Sequence, residues 1–232
     1  MNLFKKDKRI KAKVELVSLH IPKTAGTSFR NILKEVYGEE QVVRFDINRF
    51  VSIENEEFKE KKLSSQIRVL HGHFPYDQLM EQVALPEGVP VITWLRDPVK
   101  RVISNYYYLS KILREELNEE EKDLNILAKM QKTLLEYANA RPNRNRMSSF
   151  LKGSTLEDFF FIGIMDHYEE DLKDLASLLG WGEYTELQHN ITGDKPEVDE
   201  ETLNIIKELN SKDIEIYKSA LKHREERIKK QK

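Results

Sequence analysis

The stretch from Leu16 to Phe29, LVSLHIPKTAGTSF, constrains the fold more than any other part of the chain. The run from Val14 to Leu19 is short, mostly apolar and partly β-branched, which is typical of a buried strand. From Phe29 to Tyr37 apolar side chains recur at helical spacing, and Gly38 follows as a stop signal. A tight turn of small and hydroxyl residues with one lysine separates the two. The sequence therefore predicts a strand, a loop and a helix in direct succession.

A helix that begins directly after such a loop suits an anion. Its first N–H groups have no intrahelical partner and lie at the positive end of the helix dipole. Small residues let a phosphate approach the backbone, while a lysine adds charge and hydroxyls add donors. We predict that a phosphate is held by the loop residues Lys23, Thr24, Ala25, Gly26, Thr27 and Ser28.

This loop is not a Walker A motif, in which the lysine directly follows the second glycine. Here Lys23 precedes Gly26 by three residues. No aspartate suited to magnesium stands convincingly at the end of a later strand. We therefore expect a phosphate ligand that needs no metal. The loop by itself leaves open an ordinary capped turn between a strand and a helix.

Composition narrows the class of protein. The chain has 232 residues, a net charge of −2 and no cysteine. This length fits one domain over residues 1–232, and the charge gives no general case for nucleic acid. Without cysteine there are no disulfides, thiolate nucleophiles or cysteine-bound zinc, and a reducing cytoplasm is compatible. No apolar run approaches the roughly 20 residues of a membrane helix, and no signal peptide is recognised, so we expect a cytoplasmic protein.

Both ends of the chain are basic. The composition of residues 1–13 predicts a solvated arm. The alternative is a positively charged surface that attracts an anionic partner. Residues 222–232 predict a basic tail at a fraying helix end.

Strands and helices alternate along the chain. Strands are predicted over residues 14–19, 41–45, 67–70, 89–95 and 159–165. Helices are predicted over residues 29–37, 55–63, 74–83, 98–116, 118–140, 166–179, 199–209 and 213–228. This alternation predicts an α/β fold with a central, mainly parallel sheet flanked by helices.

Ligands of such sheets bind at the carboxyl ends of the strands. Lys23, His71-Gly72-His73 and Arg96 each follow a predicted strand, so we expect them along one edge. Pro98 suits the first turn of the next helix, with Asp97 as its cap. Arg96 and Ser104 are predicted to grip a second phosphate, by a guanidinium fork and a hydroxyl. The alternative for Arg96 is an ion pair with Asp97 or another carboxylate.

The two histidines point the same way if the chain there is extended. A histidine that titrates near neutral pH suits a general base, and we favour His73, with His71 orienting or binding. A metal site or a purely structural pair are the alternatives. We predict no metal, because no carboxylate or third histidine is obviously adjacent.

Other residues carry weaker signals. Two interpretations are equally compatible with a basic segment of the chain: it contacts the nucleotide or the acceptor, or it is an ordinary surface turn. The residues concerned are Arg144, Asn145, Arg146 and Ser149. Among Tyr106, Tyr107 and Tyr108, at least one belongs to the core. Trp94 is expected in the core, and His20 and His189 receive no role.

Three motifs occur in the order seen in carbohydrate sulfotransferases: HIPKTAGTS at 20–28, HGH at 71–73 and RDPVKRVISNYYYL at 96–109. The chain most resembles the heparan sulfate and dermatan/chondroitin uronyl 2-O-sulfotransferase group and its bacterial relatives. FFFIGIMDHYEEDLKDL at 159–175 also looks like that group. The resemblance covers residues 16–179, and the segments 46–65 and 118–140 match nothing in it.

The resemblance implies a P-loop-kinase-like fold and transfer of a sulfuryl group from 3′-phosphoadenosine 5′-phosphosulfate (PAPS) to a hydroxyl, leaving adenosine 3′,5′-bisphosphate (PAP). Residues 23–28 would hold the 5′-phosphosulfate, with Lys23 also catalytic, and Arg96 and Ser104 the 3′-phosphate. His73 would act at the acceptor, with His71 as the second candidate. The resemblance implies that the acceptor is a carbohydrate. Two alternatives stay open: a nucleotide kinase, and a non-catalytic protein that binds PAP.

Overall fold

The computed structural model describes residues 9–46, 63–117, 132–185 and 197–231. The strands are β1 (Ile10–Lys11), β2 (Leu16–Leu19), β3 (Val42–Arg44), β4 (Val69–Gly72), β5 (Val83–Ala84), β6 (Val91–Leu95) and β7 (Phe161–Ile164). The helices are α1 (Gly26–Tyr37), α2 (Tyr76–Gln82), α3 (Pro98–Leu117), α4 (Leu134–Asn139), α5 (Arg146–Phe150), α6 (Tyr168–Leu178), α7 (Glu200–Leu209) and α8 (Ser211–Gln231).

The central sheet has five parallel strands in the order β3-β4-β2-β6-β7. Strand β2 lies in the middle, where Leu19 pairs with Gly72 of β4 on one side and Thr93 of β6 on the other. The chain leaves β2 for one side of the sheet and later returns to the other side at β6. Ligands of open parallel sheets bind where the strand order reverses in this way, so the loop after β2 occupies that position.

The sheet separates two apolar clusters because successive strand residues face opposite sides. Phe29 of α1 and Leu172 of α6 pack in the cluster that includes Leu16. Leu79 of α2 and Tyr217 of α8 pack in the cluster on the other face. Helices on both faces of a parallel sheet confirm the predicted α/β architecture.

The C-terminal helix α8 packs on the rest of the domain. The prediction of a fraying basic tail from residue 222 is therefore wrong for Arg224 and Arg227, which bind a buried carboxylate. Asp171, which is fully buried, accepts hydrogen bonds from Arg224 Nε at 2.8 Å and Arg227 Nη2 at 2.6 Å. Its second oxygen accepts from the Ile164 amide at 2.8 Å. Removing one partner of such a buried pair typically costs about 3–5 kcal/mol, so these arginines anchor α8 to α6 and, through Asp171, to β7.

The prediction of a solvated N-terminal arm is wrong for its last residues. Ile10 and Lys11 form β1, which pairs with Val83 and Ala84 of β5. Ile10 and Ala12 are buried in the apolar cluster on the α8 side of the sheet. Apolar side chains between the lysines decide this outcome, since they gain from burial while the lysines stay at the surface. Residues 1–8 lie outside the described part.

Other boundaries shift by one to three residues, the largest shifts being the start of α1 at Gly26 and the end of α8 at Gln231. The strand predicted over 67–70 is displaced to β4, so His71 and Gly72 belong to the strand itself. Of the helix predicted over 118–140, the described part contains α4, which begins after Thr133 in a capping box with Glu136. Residues 118–131 and the helix predicted over 55–63 lie outside the described residues. Among the helices described, none combines the length and the apolar character needed to cross a membrane.

Candidate active site

The loop between β2 and α1 has an unusual backbone. Lys23 has φ 73° and Ala25 φ 57°, both in the left-handed region that non-glycine residues seldom adopt. Thr24, between them, is fully buried and donates from Oγ1 to the Ile21 carbonyl at 2.8 Å. A positive-φ residue within a tight loop turns successive N–H groups toward a common concavity, which binds anions.

Helix α1 begins without a side-chain cap. Ala25 occupies the N-cap position, and Phe29 N donates the helix's first bond to its carbonyl at 2.9 Å. A serine or aspartate at this position would accept a hydrogen bond from the first amides of the helix through its side-chain oxygen. Alanine has no such oxygen, so these amides can donate to another acceptor. The helix start at Gly26, Thr27 and Ser28 therefore has the form expected of a phosphate cradle.

Gly26 is required by close contact with a histidine. A Cβ built on Gly26 would lie 2.0 Å from His20 Nε2. His20 directly follows β2, and its Nδ1 lies 3.4 Å from Thr24 Oγ1. The imidazole of His20 therefore packs against the first turn of α1, and only glycine leaves room for it.

Three histidine rings lie together at this edge of the sheet. His20 stacks on His71, with ring centroids 5.4 Å apart, and lies 4.7 Å from the His73 ring. His71 is 3 % exposed, and its Nδ1 is 2.9 Å from Ser18 Oγ. His71 and His73 thus both adjoin the ring of His20, in agreement with the prediction that the two histidines of the motif point the same way.

Burial decides the charge of two of these rings. It lowers the pKa of His71 to about 3, and the neighbouring His73 acts in the same direction. Burial, followed by the proximity of His71 and His73, also lowers the pKa of His20 well below its usual value. Both rings are therefore neutral at physiological pH.

Asp46 is the carboxylate that the sequence reasoning missed. Its Oδ1 accepts from the His73 amide at 2.8 Å and lies 3.0 Å from His73 Nδ1. Arg44 Nε donates to Oδ2 at 2.7 Å. Burial works to raise the pKa of Asp46, but the hydrogen bonds from His73 outweigh it and hold that pKa below its usual value.

The expectation that neither a carboxylate nor a third histidine adjoins the HGH motif is therefore wrong, because Asp46 and His20 both do. His20 directly follows β2 and Asp46 closely follows β3, so the strand-end rule that selected Lys23 would have found them too. Even so, within the described ranges no group of three or more histidine, aspartate or glutamate side chains is arranged to hold a metal ion.

The two predicted phosphate-binding segments touch each other. Arg96 Nη1, at the end of β6, donates to the Lys23 carbonyl at 3.2 Å. Lys23 Nζ lies 3.6 Å from the ring centre of Tyr108 on α3. Ser104, one turn earlier on α3, is 3 % exposed. The structure thus brings the loop, the end of β6 and the first half of α3 into one region.

Further positive charge adjoins Arg96. Burial lowers the pKa of Arg101; Asp213 opposes this shift, while the charges of Arg146 and Arg96 add to it. Arg101 is 2 % exposed and donates from Nη2 to the Asn143 carbonyl at 3.1 Å, whereas its Nε has no hydrogen-bond partner among the described residues. Burial lowers the pKa of Arg96 and of Arg146 as well. Several partly desolvated guanidinium groups in one place create a positive potential that favours the binding of an anion.

The other basic-turn residues have structural contacts. Arg144 Nε donates to the Asn139 carbonyl at 2.7 Å. Asn145 Oδ1 accepts from the amides that open α8, at Lys212 and Asp213. Ser149 Oγ donates back to the Asn145 carbonyl at 3.0 Å. These contacts favour a structural turn for Arg144, Asn145 and Ser149 and leave Arg146 as the residue of that motif near the arginine group.

Trp94 lies in the core as expected, but the expectation that at least one of Tyr106, Tyr107 and Tyr108 belongs to the core is wrong, because Tyr106 and Tyr107 are only partly buried and Tyr108 is exposed. Trp94 is 3 % exposed and packs on Phe29 and Tyr168, with ring centroids 5.4 and 4.5 Å away, so it belongs to the core. Tyr106 packs on Tyr137, whereas Tyr108 contacts Lys23. His189 lies outside the described residues.

A family model described as "Sulfotransferase family" matches residues 6–220. The chain belongs to this family, and it is a sulfotransferase rather than a nucleotide kinase or a non-catalytic binder.

No curated protein matches it. Two solved structures are similar. A sulfotransferase from Alicyclobacillus acidocaldarius has 14 % identity and a TM-score of 0.47, over 90 % of this chain and 96 % of that one. Mouse sulfotransferase SULT7A1 complexed with PAP has 14 % identity and a TM-score of 0.44, over 90 % of this chain and 69 % of that one.

Proposed function

We propose that this sulfotransferase transfers the sulfuryl group of PAPS to a hydroxyl of a carbohydrate, with His73 as the general base. The observation that carries the proposal is the contact of the β2–α1 loop with Arg96, beside a histidine whose ring is held by a carboxylate. One nucleotide with a phosphate at each end would be bound by the two segments, while the histidine stands at the same edge of the sheet.

The residues present fit a nucleotide with two phosphates. The uncapped start of α1 and Lys23 suit the 5′-phosphosulfate. Arg96 and the buried hydroxyl of Ser104 suit the 3′-phosphate, and Arg101 and Arg146 raise the local positive potential. PAP, the product expected here, is also the nucleotide in the mouse complex.

The chemistry assigns a task to each group. A neutral alcohol is a poor nucleophile, so His73 would take its proton as the new S–O bond forms. The bond between sulfur and the bridging phosphate oxygen breaks, and that oxygen keeps the electron pair. Lys23 and the first amides of α1 would stabilise this developing negative charge. The products are a sulfate ester, PAP and a protonated His73, which then releases its proton to water.

Between the two histidines of the HGH motif, burial favours His73 as the base. The side chain of His73 is 33 % exposed, whereas His71 is buried beneath His20 and held by Ser18. A base must reach the proton that it removes. We propose that His71 supports the site rather than contacting the acceptor.

The carbohydrate acceptor is proposed on the resemblance to the uronyl 2-O-sulfotransferase group. The segments 46–65 and 118–140, which match nothing in that group, are proposed to shape the acceptor pocket. A cytoplasmic location stays a prediction, and cell fractionation would test it.

The test is a transfer assay with PAPS carrying a heavy sulfur isotope. Uronic-acid oligosaccharides and simpler hydroxylated acceptors are supplied, and labelled sulfate esters and PAP are measured by mass spectrometry. We expect PAP and a labelled ester in equal amounts, without added metal and in the presence of a chelator.

The His73→Ala variant should lose about 10²- to 10⁴-fold in turnover, the contribution usual for general acid–base catalysis, while binding PAP as the wild type does. His223→Ala, which removes a surface histidine on α8, is the matched control and should keep wild-type turnover. Full turnover by His73→Ala would exclude His73 as the base. If no carbohydrate yields a labelled ester but an acceptor with another class of hydroxyl does, the carbohydrate acceptor is excluded. The proposed sulfuryl transfer would still stand.

A further inference from the structure

One carboxylate oxygen holds His73 at two points. Asp46 Oδ1 accepts from the backbone amide of His73 at 2.8 Å and lies 3.0 Å from Nδ1 of its ring. We infer that Asp46 is the positioning residue for the base: it keeps the ring proton on Nδ1 and leaves Nε2 to accept the proton of the acceptor hydroxyl. This inference rests on the proposed function, since it concerns how the same base is oriented.

The geometry fixes the tautomer. An ionised carboxylate has acceptors only, so a neutral imidazole that shares a hydrogen bond with it must donate. The donor is then Nδ1–H, and the lone pair lies on Nε2 at the far side of the ring. Because the amide and Nδ1 of the same residue meet one oxygen, both the position and the rotation of the ring are fixed.

Asp46 has a separate partner for each of its oxygens. Oδ2 accepts from Arg44 Nε at 2.7 Å, so within the described part of the chain Oδ1 is left to His73. The lowered pKa of Asp46 keeps it ionised through the pH range in which a histidine works. A carboxylate held in this way also stabilises the imidazolium that forms when the proton arrives.

Among the charged and titratable groups of the described residues around His73, none offers a competing acceptor to its remaining faces. The ring of His20 lies 4.7 Å away and is tilted by 44°. His20 and His71 are kept neutral by burial, and Arg44 is bound to Asp46. Of the described residues, Asp46 is therefore the one placed to select the tautomer of His73.

A purely structural role for Asp46 is the competing explanation, because it joins the end of β3 to the chain after β4. That junction already has a backbone bond, from Phe45 N to the His71 carbonyl at 3.0 Å. The two roles differ in what they change. A structural role alters folding and all functions together, whereas a positioning role changes the tautomer and the turnover through His73 alone.

The first arm of the test reads the tautomer directly. Protein labelled with ¹⁵N in its histidines is studied by NMR with PAP bound, and His73 is assigned by its loss in His73→Ala. In the wild type we expect the Nδ1–H tautomer with an unprotonated Nε2. In Asp46→Ala we expect a mixture of tautomers, while Glu157→Gln, which removes a surface acid 3.4 Å from His223 Nε2, should leave the His73 signals unchanged.

The second arm measures turnover in a double-mutant cycle. Asp46→Asn keeps the shape and removes the charge, and we expect kcat to fall about 10- to 100-fold, as for outer partners that orient a histidine. KM for PAPS and the PAP dissociation constant should stay within about twofold of wild type. Adding Asp46→Asn to His73→Ala should lower the residual rate no further.

The outcomes separate the inference from the proposed function. A wild type that makes no PAP from PAPS with any acceptor or with water overturns the proposed function, whatever the NMR shows. An active wild type with an unchanged tautomer in Asp46→Ala overturns the inference. It is also overturned if Asp46→Asn slows the His73→Ala background as much as it slows the wild type.

Discussion

Arg96 donates a hydrogen bond from Nη1 to the carbonyl oxygen of Lys23 over 3.2 Å. This contact joins the end of β6 to the loop after β2, which are adjacent strands of the sheet. The residue that accepts this bond, Lys23, has a left-handed backbone conformation with φ 73°. The two segments proposed to hold opposite ends of PAP are therefore parts of one continuous surface.

The fit of His20 against α1 gives a prediction about Gly26. In Gly26→Ala the new methyl would overlap the His20 ring, so either the ring or the helix start must move. Overpacking of this kind costs about 1–3 kcal/mol, which lowers Tm by about 2 to 12 °C in a domain of this size. PAP affinity should fall at least about tenfold. Calorimetry and thermal melting measure both.

Gly182→Ala is the matched control, because a Cβ at Gly182 meets nothing within 4 Å. It should melt and bind PAP as the wild type does. An unchanged Tm and unchanged PAP affinity in Gly26→Ala would show that the packing of His20 on the helix is not needed.

Lys23 gives a prediction about turnover. Its ammonium is proposed to stabilise charge on the leaving phosphate oxygen, which grows in the transition state. Lys23→Met should therefore lower kcat by about 10²- to 10³-fold, as for loss of a preorganised donor, while PAP affinity falls much less. Single-turnover assays with PAPS separate the two quantities. Lys34→Met, which removes a lysine paired with Glu39 at the other end of α1, should keep kcat. An unchanged kcat together with weakened PAP affinity would assign Lys23 to binding alone.

Much of this arrangement could be predicted from the sequence because it depends on local patterns. The apolar run before Lys23 and the small residues after it determine a strand, a loop and a helix without reference to distant parts. The same holds for Arg96, which follows the buried strand β6. The rule that polar residues at strand ends share one edge then predicted their proximity.

The strand-end rule would also have selected Asp46 and His20, but it could not have predicted which side chains these two residues contact. Asp46 lies 27 residues before His73, and their hydrogen bond depends on β3 pairing with β4. The ring of His20 is held by the bare Cα of Gly26, a steric fact that composition does not display. The docking of α8 likewise depends on Asp171, a charge in an otherwise ordinary amphipathic helix.

The buried histidines predict how stability depends on pH. The pKa of His71 is about 3 in the folded chain and 6.5 ordinarily, so below pH 6.5 the unfolded chain binds a proton that the folded chain does not. Stability is therefore retained above about pH 6.5 and lost as the pH falls toward 3. His71 alone should reduce the unfolding free energy by about 2 kcal/mol between pH 7 and pH 5, and His20 acts in the same direction.

Urea unfolding at the two pH values measures this loss. In His71→Gln the loss should be smaller by about 2 kcal/mol, whatever the absolute stability of the variant. His223→Gln, a surface substitution, should keep the wild-type dependence. A His71→Gln variant with the full wild-type dependence would show that His71 is not the group responsible.

The central claim is that the loop at Lys23 and the pair Arg96 and Ser104 bind opposite phosphates of one nucleotide. Isothermal titration in a chelator, with PAP, adenosine 5′-phosphate and adenosine 3′-phosphate, tests it most directly. The wild type should bind one PAP, more tightly than either monophosphate. Arg96→Ala should reduce the preference for PAP over the 5′-phosphate, and Lys23→Ala should reduce the preference for PAP over the 3′-phosphate. Variants that weaken all three nucleotides equally would contradict the claim.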